Sequence, residues 1–131
     1  MTSRVARPAS RYLGILLLLA ALAGWLDTPV FGTHGAIAVD EAMNLAHACL
    51  GLFLLAMSFG GESTCAFALY FAGLALIGFG SYALYDMGSY NNVRIGPTMA
   101  SRSNEYFHIA LGLTMPVFAK LNTARQQLFR E

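Results

Sequence analysis

The sequence predicts an all-α protein, a four-helix transmembrane bundle formed by two parallel helix-hairpin repeats. Three observations predict it: an apolar composition, four long windows without charge, and a motif in the first half that returns in the second.

Hydrophobic residues make up 56% of the 131 residues and charged residues only 11%, where soluble domains average about 25% charged. A small soluble domain leaves much of its surface in water and could not hide this excess. The partner the composition implies is the lipid bilayer. The length allows a single transmembrane domain over residues 1–131. With a net charge of +1 and no basic stripe, nucleic acid is excluded as a partner.

No Asp, Glu, Lys or Arg occurs in Tyr12–Leu26, Ala42–Gly61, Ser63–Tyr85 or Tyr106–Ala119, windows of 15, 20, 23 and 14 residues. A helix crossing the hydrocarbon needs about 20 mostly apolar residues. The second and third windows suffice. The first extends through Ala9–Ser10 and the last past Lys120, with Arg11 and Lys120 snorkelling to the interface. The four helices are placed at about 9–26, 42–59, 64–85 and 104–121. Arg4, Arg7 and Arg11 ahead of a run ending Ala21-Leu22-Ala23 also resemble a secretory signal. The match of this segment to a later one favours a retained helix.

A shift of 59 residues lays Gly14 on Gly73 and Asp27 on Asp86. A shift of 61 lays His47-Ala-Cys-Leu-Gly51-Leu52 on His108-Ile-Ala-Leu-Gly112-Leu113. The two-residue difference falls in a loop, where it costs little. Each repeat, about 11–60 and 65–121, is then one hairpin, and the two are related by an axis along the membrane normal. Gly51, Gly73, Gly78, Gly80 and Gly112 are the expected close-packing positions. Pro116 is expected to kink the fourth helix and free the carbonyl of Gly112. Six of the eight Lys and Arg lie in the tails, Arg4, Arg7, Arg11, Lys120, Arg125 and Arg130. The positive-inside rule therefore puts both termini in the cytoplasm. The loops Asp27–Glu41 and Asp86–Glu105, rich in Gly, Pro and Asn, read as ordered caps on the outer side.

Polar side chains concentrate at Asn44–His47 and Asn104–His108. Inside a span such residues are functional candidates. As packing residues, Asn44 and His47 share a helix face and are expected to bond each other. Asp40, Glu41 and Ser103–Glu105 are then ordinary N-terminal caps. As cofactor-binding residues, His47 and His108 at equal depth could ligate a haem b iron or a chlorophyll-type pigment, with Gly51 and Gly112 making room. Packing without any cofactor is the favoured reading. Asp27, Asp86, Asn44 and Asn104 are assigned structural polar roles, the two Asp ending spans and meeting Arg94 or Arg102. Cys49 and Cys65 read as free, buried thiols. His34 is a lone loop histidine, and no metal site is expected. Trp25, Tyr12, Tyr82, Tyr85 and Tyr106 read as interfacial belts. No catalytic constellation is legible, so the chain is expected not to be an enzyme.

The run Phe31–Gly51 with Asn44-Leu-Ala-His47-Ala-Cys-Leu-Gly51, answered by Asn104–Gly112, resembles an uncharacterised family of bacterial four-span membrane proteins. Those carry Asn-x-x-His-x-x-x-Gly at the start of helices 2 and 4. The second copy here has one residue more between Asn104 and His108. The resemblance implies the fold and a bacterial inner membrane, and no activity. Small size and short loops favour an accessory subunit of a larger membrane complex, with other membrane subunits as partners. The alternatives are a haem- or (bacterio)chlorophyll-binding component for electron transfer or light harvesting, and a small channel or transporter.

Overall fold

The structure, a computed structural model, describes residues 5–128, with side chains through residue 121. Arg4 and Arg130 of the orientation argument lie outside the described residues, as does the side chain of Arg125. The chain is mainly helical. The elements run α1 (Ala6–Trp25), β1 (Phe31–Gly32), β2 (Ile37–Ala38), α2 (Glu41–Met57), α3 (Glu62–Met87), β3 (Asn92–Ile95), β4 (Thr98–Ser101) and α4 (Arg102–Leu128). All four expected helices form.

Their ends follow local chemistry. α1 begins before the expected boundary, because Pro8 sits in the first turn, where backbone N–H groups have no helical partner to lose. It ends at Trp25, and just beyond it Asp27 takes a left-handed conformation (φ 48°) and accepts the Thr33 N–H at 2.7 Å. Asp is one of the few residues that tolerate this region. Asp86, its sequence match, is exposed in the last turn of α3, which continues through Met87. The matching pair therefore does not share one role. Neither Asp is paired in the expected way: Arg102 donates instead to the carbonyls of Gly88 and Tyr90, at 2.8 and 2.7 Å. α2 starts on an Asp40 cap whose carboxylate accepts the Met43 N–H at 2.8 Å.

α1 packs chiefly on α2, and α3 on α4. The same crossing recurs in both hairpins. A Cβ on Gly14 would lie 2.9 Å from the Gly51 carbonyl, and one on Gly51 2.8 Å from the Gly14 carbonyl. In the second hairpin the distances are 2.7 Å from Gly73 to the Gly112 carbonyl and 2.8 Å in return. The Gly112 carbonyl is the one Pro116 cannot bond, and Pro116 Cδ packs on Gly73 as well. α4 nevertheless runs through Pro116 as one helix. A Cβ on Gly80 would lie 3.0 Å from the Ile109 side chain and 3.1 Å from the Glu105 carbonyl. Gly78 differs from expectation. A Cβ there meets nothing among the described residues within 4 Å, because its position on α3 turns away from α4.

The hairpins join through α1–α3, α2–α3 and α1–α4 contacts around Leu17, Leu54, Leu69, Ala72 and Met115. At the end holding the N-terminus, Ser10 Oγ donates to the Leu54 carbonyl at 2.7 Å and Arg7 donates to the Gly60 carbonyl at 3.0 Å. Arg11 does not extend freely: its Nε lies 3.4 Å from Ser58 Oγ and its guanidinium 5.8 Å from the Phe59 ring centroid. Cys65 is buried beside the Met57 carbonyl, whereas Cys49 is exposed, contrary to the expectation of two buried thiols.

At the opposite end the two long loops fold into caps. β1 and β2 pair in parallel, Phe31 opposite Ile37, and β3–β4 is an antiparallel hairpin, Asn92 opposite Ser101. The strands are a small addition to the all-α expectation. Asp40 ties the caps to the helices, accepting from Thr98 Oγ1 at 2.8 Å and the Met99 N–H at 2.6 Å. Ser101 Oγ donates to the Ala38 carbonyl at 2.6 Å, which joins one loop to the other. Two helices, α1 and α3, are long and apolar enough to cross a membrane; α2 is a shorter apolar helix.

Candidate functional site

Beneath the caps lies a buried polar layer made by the first two turns of α2 and α4. Asn44 and His47 enter it from α2, and Asn104, Glu105 and His108 from α4; all five are buried. The caps shield it from above, with Phe31 edge-on to Phe107 at 5.3 Å and Phe107 edge-on to His47 at 6.0 Å. Phe79 of α3 meets His108 at 5.8 Å.

Inside the layer, three ionisable side chains form one line. Glu105 Oε2 lies 2.8 Å from His108 Nδ1. His108 Nε2 lies 2.8 Å from His47 Nε2. The Asn104 amide donates to Glu105 Oε1 at 3.2 Å. Glu105 is 0% exposed and each histidine 1%. A carboxyl group this deep is tolerable only when its oxygens are bonded. Here each oxygen is.

The line has two self-consistent proton arrangements. With Glu105 as carboxylate, His108 Nδ1–H donates to it, His108 Nε2 accepts from His47 Nε2–H, and His47 Nδ1 ends the line as an acceptor. With Glu105 as the acid, every bond reverses and His47 Nδ1–H ends the line as a donor. Moving one proton at each of the two links, with one further proton taken up at His47 Nδ1, converts the first arrangement into the second. Among the described residues His47 Nδ1 has no hydrogen-bond partner.

The expected Asn44–His47 bond does not form. His47 reaches across to His108, and Asn44 instead fills the space over Gly24 of α1, where any side chain would collide with it. Asn44 Oδ1 and Asn104 Oδ1 are likewise buried without partners among the described residues. Glu105 was missed as a site residue, being read as a helix cap. The signal was present. The shift of 61 that superposes the histidines lays Glu105, and not Asn104, on Asn44, both three residues before their histidine.

The histidines do come together at equal depth, yet the arrangement does not fit a haem. A nitrogen ligand stands about 2 Å from its metal, so two axial nitrogens lie about 4 Å apart with the macrocycle between them. The Nε2 atoms are 2.8 Å apart. Gly51 and Gly112, expected to clear room for a ring, are each pressed against another helix backbone. His34 stays exposed in the first cap.

One wall of the layer opens on a groove of about 720 Å³ between α2 and α3, closed at its upper end by the β3–β4 turn. Ala46, Phe53, Phe71, Ala75 and Phe79 line it, and His47 and His108 form its polar end. The groove was not foreseen, since apolar residues that line a cavity and those that face lipid look alike in sequence. No family model, curated protein or solved structure matches this chain.

Proposed function

We propose that this chain is a four-span integral membrane protein that serves as an accessory subunit of a larger membrane complex. The reading places it in the cytoplasmic membrane with both termini inside and gives it no catalytic step of its own. Its resemblance to bacterial four-span proteins rests on the Asn-x-x-His-x-x-x-Gly motif alone.

The apolar perimeter carries the reading. Leu19 and Leu22 of α1, Leu45 and Leu52 of α2, Phe67 and Leu74 of α3, and Leu113 and Val117 of α4 are each more than half exposed. A soluble monomer rarely exposes contiguous apolar patches beyond a few hundred Å², and here all four helices contribute. Tyr12 at one end, and Trp25, Tyr82, Tyr85 and Tyr106 at the other, are exposed as interfacial aromatics would be. α2 is the shortest, 17 residues rising about 26 Å against a hydrocarbon core of about 30 Å. A mismatch of that size is met by local thinning of the bilayer. A perimeter apolar on every side, in so small a chain, can meet lipid on one face and a partner subunit on another.

The test is alkaline carbonate extraction of native membranes, then mild detergent solubilisation and sizing with crosslinking. Retention in the membrane pellet and elution with a stoichiometric membrane partner are expected. A carbonate-soluble chain would refute the four-span reading, and a monomer that crosslinks to nothing would refute the accessory role.

The buried Glu105–His108–His47 line favours a second reading, in which the chain also holds a small molecule or moves a proton.

A further inference from the structure

The Nε2 atoms of His47 and His108 converge from two helices to 2.8 Å, and Glu105 Oε2 stands 2.8 Å behind His108 Nδ1. A carboxylate that takes the far N–H of an imidazole fixes its tautomer and turns the other nitrogen's lone pair forward, the usual support of a metal-bound histidine. The surroundings are rich in acceptors and poor in positive charge. Asn44 Oδ1, Asn104 Oδ1 and His47 Nδ1 are buried without hydrogen-bond partners among the described residues. The ion pair of Glu105 is with His108 and not with a Lys or Arg. A buried carboxylate without a fixed cation beside it is costly, and a bound cation would relieve the cost.

The kind of cation follows from the ligand set. No group of three or more His, Cys, Asp or Glu that could share an ion occurs among the described residues, so an ion that demands four such ligands, as structural zinc does, is not served. Met43 offers a softer third atom. It is buried, lies one turn before His47 on the same face of α2, and lines the same groove as both histidines. The Asp40 cap on its N–H holds its place in the helix. Two imidazoles and a thioether suit copper(I), an ion content with three ligands. Charge points the same way: a monovalent ion beside the Glu105 carboxylate leaves the layer neutral, whereas a divalent one leaves a buried positive charge.

We propose that His47 Nε2, His108 Nε2 and Met43 Sδ form a copper(I) site, with Glu105 as a positioning residue behind His108. The ion takes the place of the proton between the two Nε2 atoms. An N–H then stands at each Nδ1, and Glu105 accepts from His108 as the carboxylate. Formed from the acid arrangement the complex releases one proton, and formed from the carboxylate arrangement it releases none. Nitrogens at two corners of a triangle around a metal about 2 Å away lie about 3.5 Å apart, so each ring draws back by about 0.3 Å. A bare ion needs no room for a macrocycle. The inference concerns binding alone and does not depend on the membrane or accessory reading.

The experiment is an anaerobic titration of the full chain in detergent with copper(I) against a chromogenic copper(I) chelator. Cys49→Ala and Cys65→Ala in the same chain keep thiols from competing, and circular dichroism confirms that each variant is folded. One equivalent should bind, with an X-ray absorption spectrum of two nitrogens and one sulfur. Met43→Leu should weaken binding and remove the sulfur. His47→Leu should abolish binding, as should His108→Leu combined with Glu105→Leu, which leaves no stranded carboxyl. Glu105→Gln should keep the two-nitrogen, one-sulfur spectrum and lose about 10–100-fold in affinity. Silver(I), a spin-active stand-in of the same charge, should couple to the ¹⁵N resonances of both Nε2 atoms and to neither Nδ1. Absence of copper(I) binding to the folded chain overturns the proposal. So does full binding by His47→Leu, or silver binding that leaves both Nε2 resonances unmoved. A sulfur-free spectrum with unchanged affinity in Met43→Leu overturns the third ligand, and unchanged affinity in Glu105→Gln overturns the positioning role.

Discussion

The Nε2 atoms of His47 and His108 lie 2.8 Å apart, joining α2 to α4 through a single nitrogen-to-nitrogen hydrogen bond. Glu105 stands behind His108 at 2.8 Å. One short line of polar atoms thus links the two hairpins at the capped end of the molecule, where the glycine crossings do not reach.

Removing the middle of that line should cost more than removing the line. His108→Leu strands a buried carboxyl and should destabilise the fold by about 3–5 kcal/mol. Adding Glu105→Leu in the same chain should recover much of that loss. A double-mutant cycle from denaturant unfolding in detergent measures the coupling, and additive losses would show that the pair does not act as a unit.

The glycine crossings should be intolerant and Gly78 indifferent. Ala at Gly14, Gly51, Gly73 or Gly112 pushes a Cβ to within 2.9 Å of a facing carbonyl and should cost about 1–3 kcal/mol through backbone displacement. Gly78→Ala places its methyl in open space and should gain up to about 1 kcal/mol from helix propensity. Thermal unfolding followed by circular dichroism distinguishes the two classes.

Asp40 should give the caps a dependence on acid. Burial alone would raise its carboxyl, but hydrogen bonds from the Met99 and Met43 N–H groups and the Thr98 hydroxyl outweigh it and hold the value below the usual 3.8. A depressed folded value adds stability that is complete above the unfolded value and is lost as pH falls through the folded one. Melting temperature should therefore drop below pH 3.8 in the wild type and less so in Asp40→Asn. Asp40→Ala should also cost about 1 kcal/mol as a lost helix cap.

A protein purified gently from native membranes should show no Soret or chlorin band that disappears in both His47→Ala and His108→Ala. The measurement is an absorption spectrum of all three chains. A band lost in both variants would mean that the histidines separate to admit a ring.

Orientation can be checked at two exposed turns. In a background lacking Cys49 and Cys65, Ser89→Cys should react with an impermeant maleimide in spheroplasts, and Gly61→Cys only after the membrane is broken. The reverse pattern would invert the molecule.

The uncharged windows placed most helix ends within a few residues, because charge is costly in an apolar setting whatever the neighbours are. The start of α1 moved earlier with Pro8, tolerated in a first turn, and the end of α4 ran on to Leu128, past the expected 121, since a helix can continue beyond its apolar stretch. The shift that superposes His47 on His108 likewise foresaw that the histidines would meet. It also held the clue to Glu105, which a cap reading concealed, since helix starts are ordinary places for acidic residues. Gly73 and Gly78 are both small residues on one helix, and composition could not say that only the first faces α4.

By itself, then, the sequence determined where the helices run, that they come as two similar hairpins, and that His47 and His108 share a level. Those properties depend on local composition and on order along the chain. Only the tertiary structure decided that the histidines bond each other, that Glu105 and not Asn44 stands behind the pair, and that a groove opens beside His47. Each depends on how far one helix is rotated against another, where a single residue's turn exchanges a buried partner for an outward-facing one.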